Sequence, residues 1–339
     1  MVTDDPMAEL PNLKYMCPPK LLAKICSRAV AKAIWTFYAG IRHPADIFVG
    51  YHIFPSSVTA LLCARFFGAK AIYQVTYGEA ELSGGGWAAE NALLQALGKP
   101  SDSVQKSAVR FANEFDLNIV RGTNAKSFLL QNGCNAPIEI VTGSVEAAKV
   151  KSPTRDIDII FVARMAESKR PLFLLEVIAE LVKSHPQLSA KMLGDGDQLE
   201  QAREKARSLG IESNVDFMGK RKDVMELLSR SKTFVLPSRW EGVSIALMEA
   251  MISGVVPLVS NVGDMADFVK HDETGYIFDM QEPPESYAEK LALLLSDHTE
   301  LQRIRENALN FVTERSERKV LTARWHSLLT QLQSESMVK

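Results

Sequence analysis

The feature that most limits how this chain can fold is an alternation of short β-branched runs with helical stretches, which runs for one stretch and then restarts. Asp46 to Gly50 (DIFVG), Ala71 to Thr76 (AIYQVT), Leu117 to Arg121 (LNIVR) and Ile138 to Thr142 (IEIVT) read as buried strands. Val58 to Phe67 reads as a helix between the first two. The pattern breaks over Glu146 to Arg155, which contains Pro153, and resumes with Ile157 to Ala163 (IDIIFVA). Ala190 to Leu193, Val215 to Met218, Thr233 to Pro237 and Val256 to Ser260 follow as strands. Pro171 to His185 sets Leu174, Leu175, Ile178, Leu181 and Val182 on one helical face, and Gln198 to Leu209 is a polar-faced helix stopped by Gly210. Strands separated by helices need crossover connections, so each stretch predicts a parallel sheet in an α/β layer. At 339 residues a single core is strained, and two Rossmann-like domains are expected, residues 1–150 and 151–339. Such a pair would face its sheets across a cleft, with ligands at the carboxyl ends of the strands.

The ends of the chain are less regular. Residues 1–19 carry Pro6, Pro11, Pro18 and Pro19 and read as an irregular lead-in. Lys20 to Tyr38 reads as one helix, and Glu285 to Gln333 as a long, punctuated helical stretch whose last helix is expected to cross back to the first domain.

Composition serves mainly to exclude. A net charge of −2 carries no electrostatic footprint for nucleic acid. Cys17, Cys26, Cys63 and Cys134 are far apart and form no CxxC pair, against a zinc site or a disulfide framework. No apolar run reaches the roughly 18 residues of a membrane span, and Met1 to Leu10 lacks an apolar signal core. These point to a cytoplasmic protein, peripheral at most on the inner face of the plasma membrane.

Chemistry concentrates in the second half. Glu241-Gly242-Val243-Ser244-Ile245 follows a strand and opens a helix, where small residues and free amides can cradle a phosphate. Glu249 stands about two turns on, so the two carboxylates are expected roughly to share a face, and a carboxylate can hold the vicinal hydroxyls of a ribose. A helix-capping acid with a solvated acid is the plainer reading of the same residues. Arg164 and Lys169 follow the strand Ile157 to Ala163 and could supply the charge that a diphosphate needs. Asp195-Gly196-Asp197 spells a DxD triplet, but two acids make a poor magnesium cage, and the glycines read as a tight turn. No metal site is expected.

The order of these pieces resembles the retaining GT-B glycosyltransferases of the group-1 family (glycosyltransferase family four). Ala163-Arg164 with Lys169, Leu193-Gly194-Asp195-Gly196, Val215 to Gly219, Val235-Leu236-Pro237-Ser238 and the E-x7-E element Glu241 to Glu249 stand in the family's order. Ala250 to Pro257, Gly263 and Thr274-Gly275-Tyr276 complete the match, over roughly residues 155–280. The resemblance implies that Arg164 and Lys169 contact a donor diphosphate and that the amides of Gly242, Val243, Ser244 and Ile245 bind the distal phosphate. It assigns Glu241 to the transferred sugar, Glu249 to the ribose, and the backbone of Met218 and Gly219 to the base. It implies a UDP- or GDP-sugar as substrate, no cofactor, no metal, and a glycan or lipid-linked acceptor. It further implies front-face attack, in which the leaving phosphate takes the acceptor's proton. A non-catalytic subunit that binds nucleotide-sugar, or nothing, and supports a partner transferase is the alternative; the full motif order speaks against a nucleotide-sugar epimerase or a phosphorylase on this architecture.

The first half departs from the family: the resemblance implies a strand near residue 1, where this chain has its proline-rich lead-in, so either that strand is missing or the first domain is reduced. No histidine follows Ala71 to Thr76; the strand runs into Thr76-Tyr77-Gly78-Glu79, and the nearest histidine is His52. Tyr77 and Glu79 are the candidates for the missing sugar contact, and Gly85, within Gly84-Gly85-Gly86, for a loop around the acceptor. Trp87 and Trp240 could stack on a sugar ring. Lys20, Lys24, Arg28 and Lys32 recur every four residues, with no acid up to Tyr38 and with Trp35, Phe37 and Tyr38 at the end. Residues 20–38 therefore either lie on an anionic membrane or pack as a core helix with a solvated cationic face.

Overall fold

The computed structural model describes residues 1–3, 12–75, 102–146 and 154–337. The chain divides into two compact units, one of Met1–Arg121, Ala125–Val141 and His326–Lys339, the other of Gly122–Asn124 and Thr142–Trp325. The boundary expected after residue 150 falls at 147–153, and Tyr77, Glu79, Gly85 and Trp87 fall within 76–101; both stretches lie outside the described residues.

The first unit holds a parallel sheet in the order β1 (Ile47–Tyr51), β2 (Lys70–Gln74), β3 (Leu117–Val120), β4 (Ile138–Ile140). The helix between β1 and β2 is as expected from its apolar spacing: helix Val58–Phe67 buries Ala60, Leu61, Cys63 and Ala64 and stops at Gly68, whose φ of 68° is the left-handed turn a helix end favours. Tyr73 is fully buried and meets Phe111 edge-on at 5.9 Å. The single helix expected over Lys20 to Tyr38 is two helices, α1 (Lys20–Cys26) and α2 (Arg28–Arg42). Ser27 breaks them: its φ is +74°, and its hydroxyl caps α2 by accepting from the Val30 amide. Helix Val58–Phe67 is α3, and Asp102–Ala112 and Thr123–Gln131 are α4 and α5.

The second unit has a six-stranded parallel sheet. Its strands are β5 (Ile157–Val162), β6 (Ala190–Leu193), β7 (Val215–Gly219), β8 (Ser231–Leu236), β9 (Val256–Ser260) and β10 (Tyr276–Phe278), in the order β10-β9-β8-β5-β6-β7. Ile157, Ile159, Ile160 and Phe161 are at most 1% exposed, which is why β5 reads as a continuous apolar run and not an alternating one. Helix α6 (Pro171–Val182) buries Leu174, Leu175, Ile178 and Leu181 of the predicted face, with Val182 only partly buried. Helices α7 (Leu199–Ser208), α8 (Val224–Ser229) and α9 (Ile245–Ile252) complete the crossovers. The short strand β10 and helix α8 were not legible as elements. The punctuated C-terminal stretch is α10 (Pro284–Ser296), α11 (His298–Ser316) and α12 (Arg318–Met337). Asp297 caps α11 by accepting from the amides of Thr299 and Glu300.

From β5 the chain steps outward to β6 and β7, then returns to lay β8 on the other side of β5. The strand order therefore reverses between β5 and β8. Such a reversal, at the carboxyl ends of the strands, is where an open parallel sheet has room for a ligand.

Candidate functional site

The loop after β5 carries Arg164 and Lys169; the loop after β8 carries Ser238 and Glu241. They meet at the switch point. The Lys169 ammonium lies 2.6 Å from Glu241 Oε1, and the Ser238 hydroxyl donates to the same oxygen at 2.8 Å. Ser238 is fully buried, and the Glu241 side chain is only 9% exposed. Glu241 Oε2 has no hydrogen-bond partner among the described residues. The backbone fixes this meeting: the Arg239 amide donates to the Ser168 carbonyl at 2.8 Å. Arg170, just past Lys169, sits at φ +51° and hands the chain to Pro171 at the first turn of α6. Arg164 is exposed on the same loop.

Two further strand ends close in. Gly194, after β6, has φ +135°, and a Cβ there would stand 1.8 Å from the Ala163 carbonyl oxygen. Its amide donates to the Gly219 carbonyl at the end of β7. A Cβ at Gly196 would stand 2.4 Å from the Met165 carbonyl oxygen. The carboxylate of Asp195 accepts from the Gly196 amide at 2.8 Å, and Lys220 lies 3.9 Å from its other oxygen. This is the turn geometry read from the DxD triplet, with one acid already committed to its own loop.

The expected helical relation between Glu241 and Glu249 is corrected by the helix start. Helix α9 begins at Ile245, so Glu241 lies in the preceding loop and helical periodicity does not relate the two. Ser244 is the N-cap, and its hydroxyl accepts from the Leu247 amide at 3.3 Å. The amides of Ile245 and Ala246 have no partner within the helix and stand at its positive end, beside the Gly242–Ser244 turn. Glu249 is half-buried, its carboxylate has no hydrogen-bond or ion-pair partner among the described residues, and burial raises its pKa above the usual carboxylate range. Such a group is held at a cost until something donates to it.

Arg164, Lys169, Gly219, Glu241 and the turn from Gly242 to Ile245 thus all lie at the carboxyl ends of the strands of the second sheet, at the end of β7 and after β5 and β8. Met218 packs partly buried against the core. Two positions had no role assigned from sequence. Ser238 positions Glu241; its only signal was its place after Pro237 at a strand end. Gly263, after β9, has φ +55°, and a Cβ there would lie 1.9 Å from the Glu241 carbonyl oxygen. The next amide, Asp264, donates to the Gly242 carbonyl. Gly263 therefore permits the loop after β9 to lie directly against the Glu241 turn. Trp240 is exposed beside it.

Two Rossmann-like units, each built on a parallel sheet with helical crossovers, make this a GT-B fold. Solved structures agree on the fold: a crystal structure of Anabaena HepE in complex with UDP superposes with a TM-score of 0.74 at 16% identity, covering 94% of this chain and 86% of that one. The sequence family described as "Glycosyl transferases group 1" matches residues 144–311, so this stretch of the chain is similar to that family. Among curated relatives, the Vi polysaccharide biosynthesis protein VipC/TviE of Salmonella typhi is 30% identical over 154 residues, 44% of this chain and 27% of that protein. The Escherichia coli UDP-Gal:alpha-D-GlcNAc-diphosphoundecaprenol alpha-1,3-galactosyltransferase is 27% identical over 124 residues, 36% of this chain and 32% of that one. The chain thus spans about a third or less of the length of these two relatives.

Proposed function

We propose that this chain transfers a hexosyl group from a UDP- or GDP-sugar to a polysaccharide or lipid-linked acceptor, with retention and without a metal. The observation that carries the reading is the Ser238–Glu241–Lys169 arrangement at the strand-order reversal, next to the N-terminus of α9. Lys169 and the free amides of α9 offer positive charge to a diphosphate; Glu241 Oε2 offers an acceptor to a sugar hydroxyl; Glu249 offers one to a ribose. Arg164 adds a second cation on the loop of Lys169. With these groups a leaving diphosphate can be stabilised by fixed charges and dipoles alone, so the protein contributes positioning and electrostatics while the departing phosphate accepts the proton. The relatives named for polysaccharide biosynthesis and for a diphosphoundecaprenol acceptor support the acceptor class.

A second reading rests on one observation: no histidine follows β2 in the first unit. In that case the chain binds the nucleotide-sugar and serves a partner transferase. Thermal shift against UDP, GDP, ADP and their sugars, with and without EDTA, tests the donor site common to both. A dose-dependent rise with one nucleotide that survives EDTA supports the site; no rise with any of them removes the donor site and leaves a non-catalytic subunit. Release of free nucleotide from the sugar donor in the presence of acceptor then separates the transferase from the binding subunit.

A further inference from the structure

Most of the exposed large apolar side chains among the described residues fall between residues 21 and 66, all in the first unit. Leu21 and Ile25 of α1 are 69% and 74% exposed, and α1 buries no residue at all. On α2, Val30, Ile34 and Ile41 form an exposed row at helical spacing. Phe37 of α2 meets Phe66 of α3 at 4.5 Å, and Phe66 is itself 68% exposed, so the row continues onto α3. Isolated exposed apolar residues are ordinary, but rows on adjoining helices mark an interaction surface.

Charge selects the partner. Lys20, Lys24, Arg28, Lys32 and Arg42 accompany these residues, and the first acid after Lys20 is Asp46. Helix α3 carries no acid and adds Arg65, which is paired with Glu114. On α1 the exposed positions 20, 21, 24 and 25 share one side, so cations and large aliphatic residues alternate within a single face. The break at Ser27 divides the cationic repeat between two helices, so it does not form the single stripe its four-residue spacing suggests. A second copy of the same face would bring like charges together, and a solvated helix has no use for exposed Leu21 and Ile25. Lysine stems can lie along apolar surface while their ammonium groups reach outward, which suits the boundary between acyl chains and headgroups.

We infer that α1, α2 and the outer side of α3 form a docking face for an anionic phospholipid surface, entered by Leu21 and Ile25 and held by the flanking cations. The inference does not depend on the donor site. It is tested by cosedimenting the full chain with vesicles of phosphatidylglycerol and phosphatidylcholine in equal parts, and with vesicles of phosphatidylcholine alone. Wild type should bind the anionic vesicles at least about tenfold more tightly, since each cation near such a surface contributes about fivefold. The variant Lys20→Glu with Lys24→Glu should lose most of that preference. Leu21→Ser with Ile25→Ser, at positions that touch little, should fold with an unchanged circular-dichroism melt and bind at least about tenfold more weakly. Absence of binding to anionic vesicles, or binding that both variants leave intact, overturns the inference. So does a lipid-free dimer by light scattering that Leu21→Ser with Ile25→Ser dissociates, since the face would then belong to a second copy.

Discussion

At the scale of residues, the site is a matter of two carboxylates held in opposite ways. Glu241 has its counter-charge and its hydroxyl donor in place; Glu249 has neither. Removing Lys169 would leave Glu241 buried and unpaired, a loss on the order of 1–3 kcal/mol. Lys169→Ala should therefore lower both stability and turnover, while Lys169→Ala with Glu241→Gln should recover the stability and not the turnover; chemical denaturation beside a donor-turnover assay would show this. If the double variant stays as unstable as the single, the pair is not what holds Lys169 in the fold. Glu249→Gln should act in the other direction. Burial raises the Glu249 pKa, so the folded state bears a desolvation cost above that raised pKa, and the cost disappears as pH falls below the ordinary carboxylate range. The ligand-free variant should melt higher than wild type at pH 8, by roughly 2–4 °C per kcal/mol relieved. The gap should close on acidification, and the nucleotide-induced rise should be lost. A variant that melts lower at pH 8 would mean that Glu249 has a stabilising partner when ligand-free.

At the scale of elements, the strand ends depend on glycines whose reasons differ. Gly68 and Gly263 have similar positive φ, yet a Cβ at Gly68 meets nothing within 4 Å while one at Gly263 runs into the Glu241 backbone. Gly68→Ala should cost about 1–2 kcal/mol, the left-handed penalty alone. Gly263→Ala should cost more, about 3 kcal/mol or above, and weaken nucleotide binding as well, because the Glu241 turn must move. Equal costs in paired urea titrations would show that the loop after β9 is free of that turn. The sequence could not separate these two glycines, since the neighbour that distinguishes them is distant in the chain. The same limit explains what else was and was not legible. Strands β5 to β9 followed from short apolar, β-branched runs and the buried face of α6 from its periodicity, and the order of motifs led to Lys169, Glu241 and Glu249. The break at Ser27 was hidden because α1 and α2 keep helical composition on both sides. Strand β10 is three residues long, too short for any period to register. The role of Ser238 needed the side chain of Glu241 to fold back onto it.

At the scale of the whole molecule, each unit has its own buried core, one centred on Tyr73, Phe115 and Leu129, the other on Ile159, Phe161, Met248 and Leu258. The chain's end is shared: α12 begins with residues of the second unit, and from His326 onward it belongs to the first. Leu328 and Leu332 are 6% exposed, and the Gln333 side-chain amide Nε2 donates to the Asp46 carboxylate at 3.3 Å, just before β1. Burying each leucine contributes about 1.5–3 kcal/mol, a large part of what holds a small unit folded. Deleting residues 326–339 should then act on the first unit far more than on the second. Calorimetry of wild type and the deletion, each with and without the stabilising nucleotide, would resolve this, because a ligand raises only the transition of the unit that binds it. The transition insensitive to nucleotide should fall sharply or vanish in the deletion, while the sensitive one keeps both its position and its ligand-induced rise. If the nucleotide-sensitive transition is the one that collapses, the last helix supports the donor unit, and the assignment of residues 326–339 to the first unit fails with it.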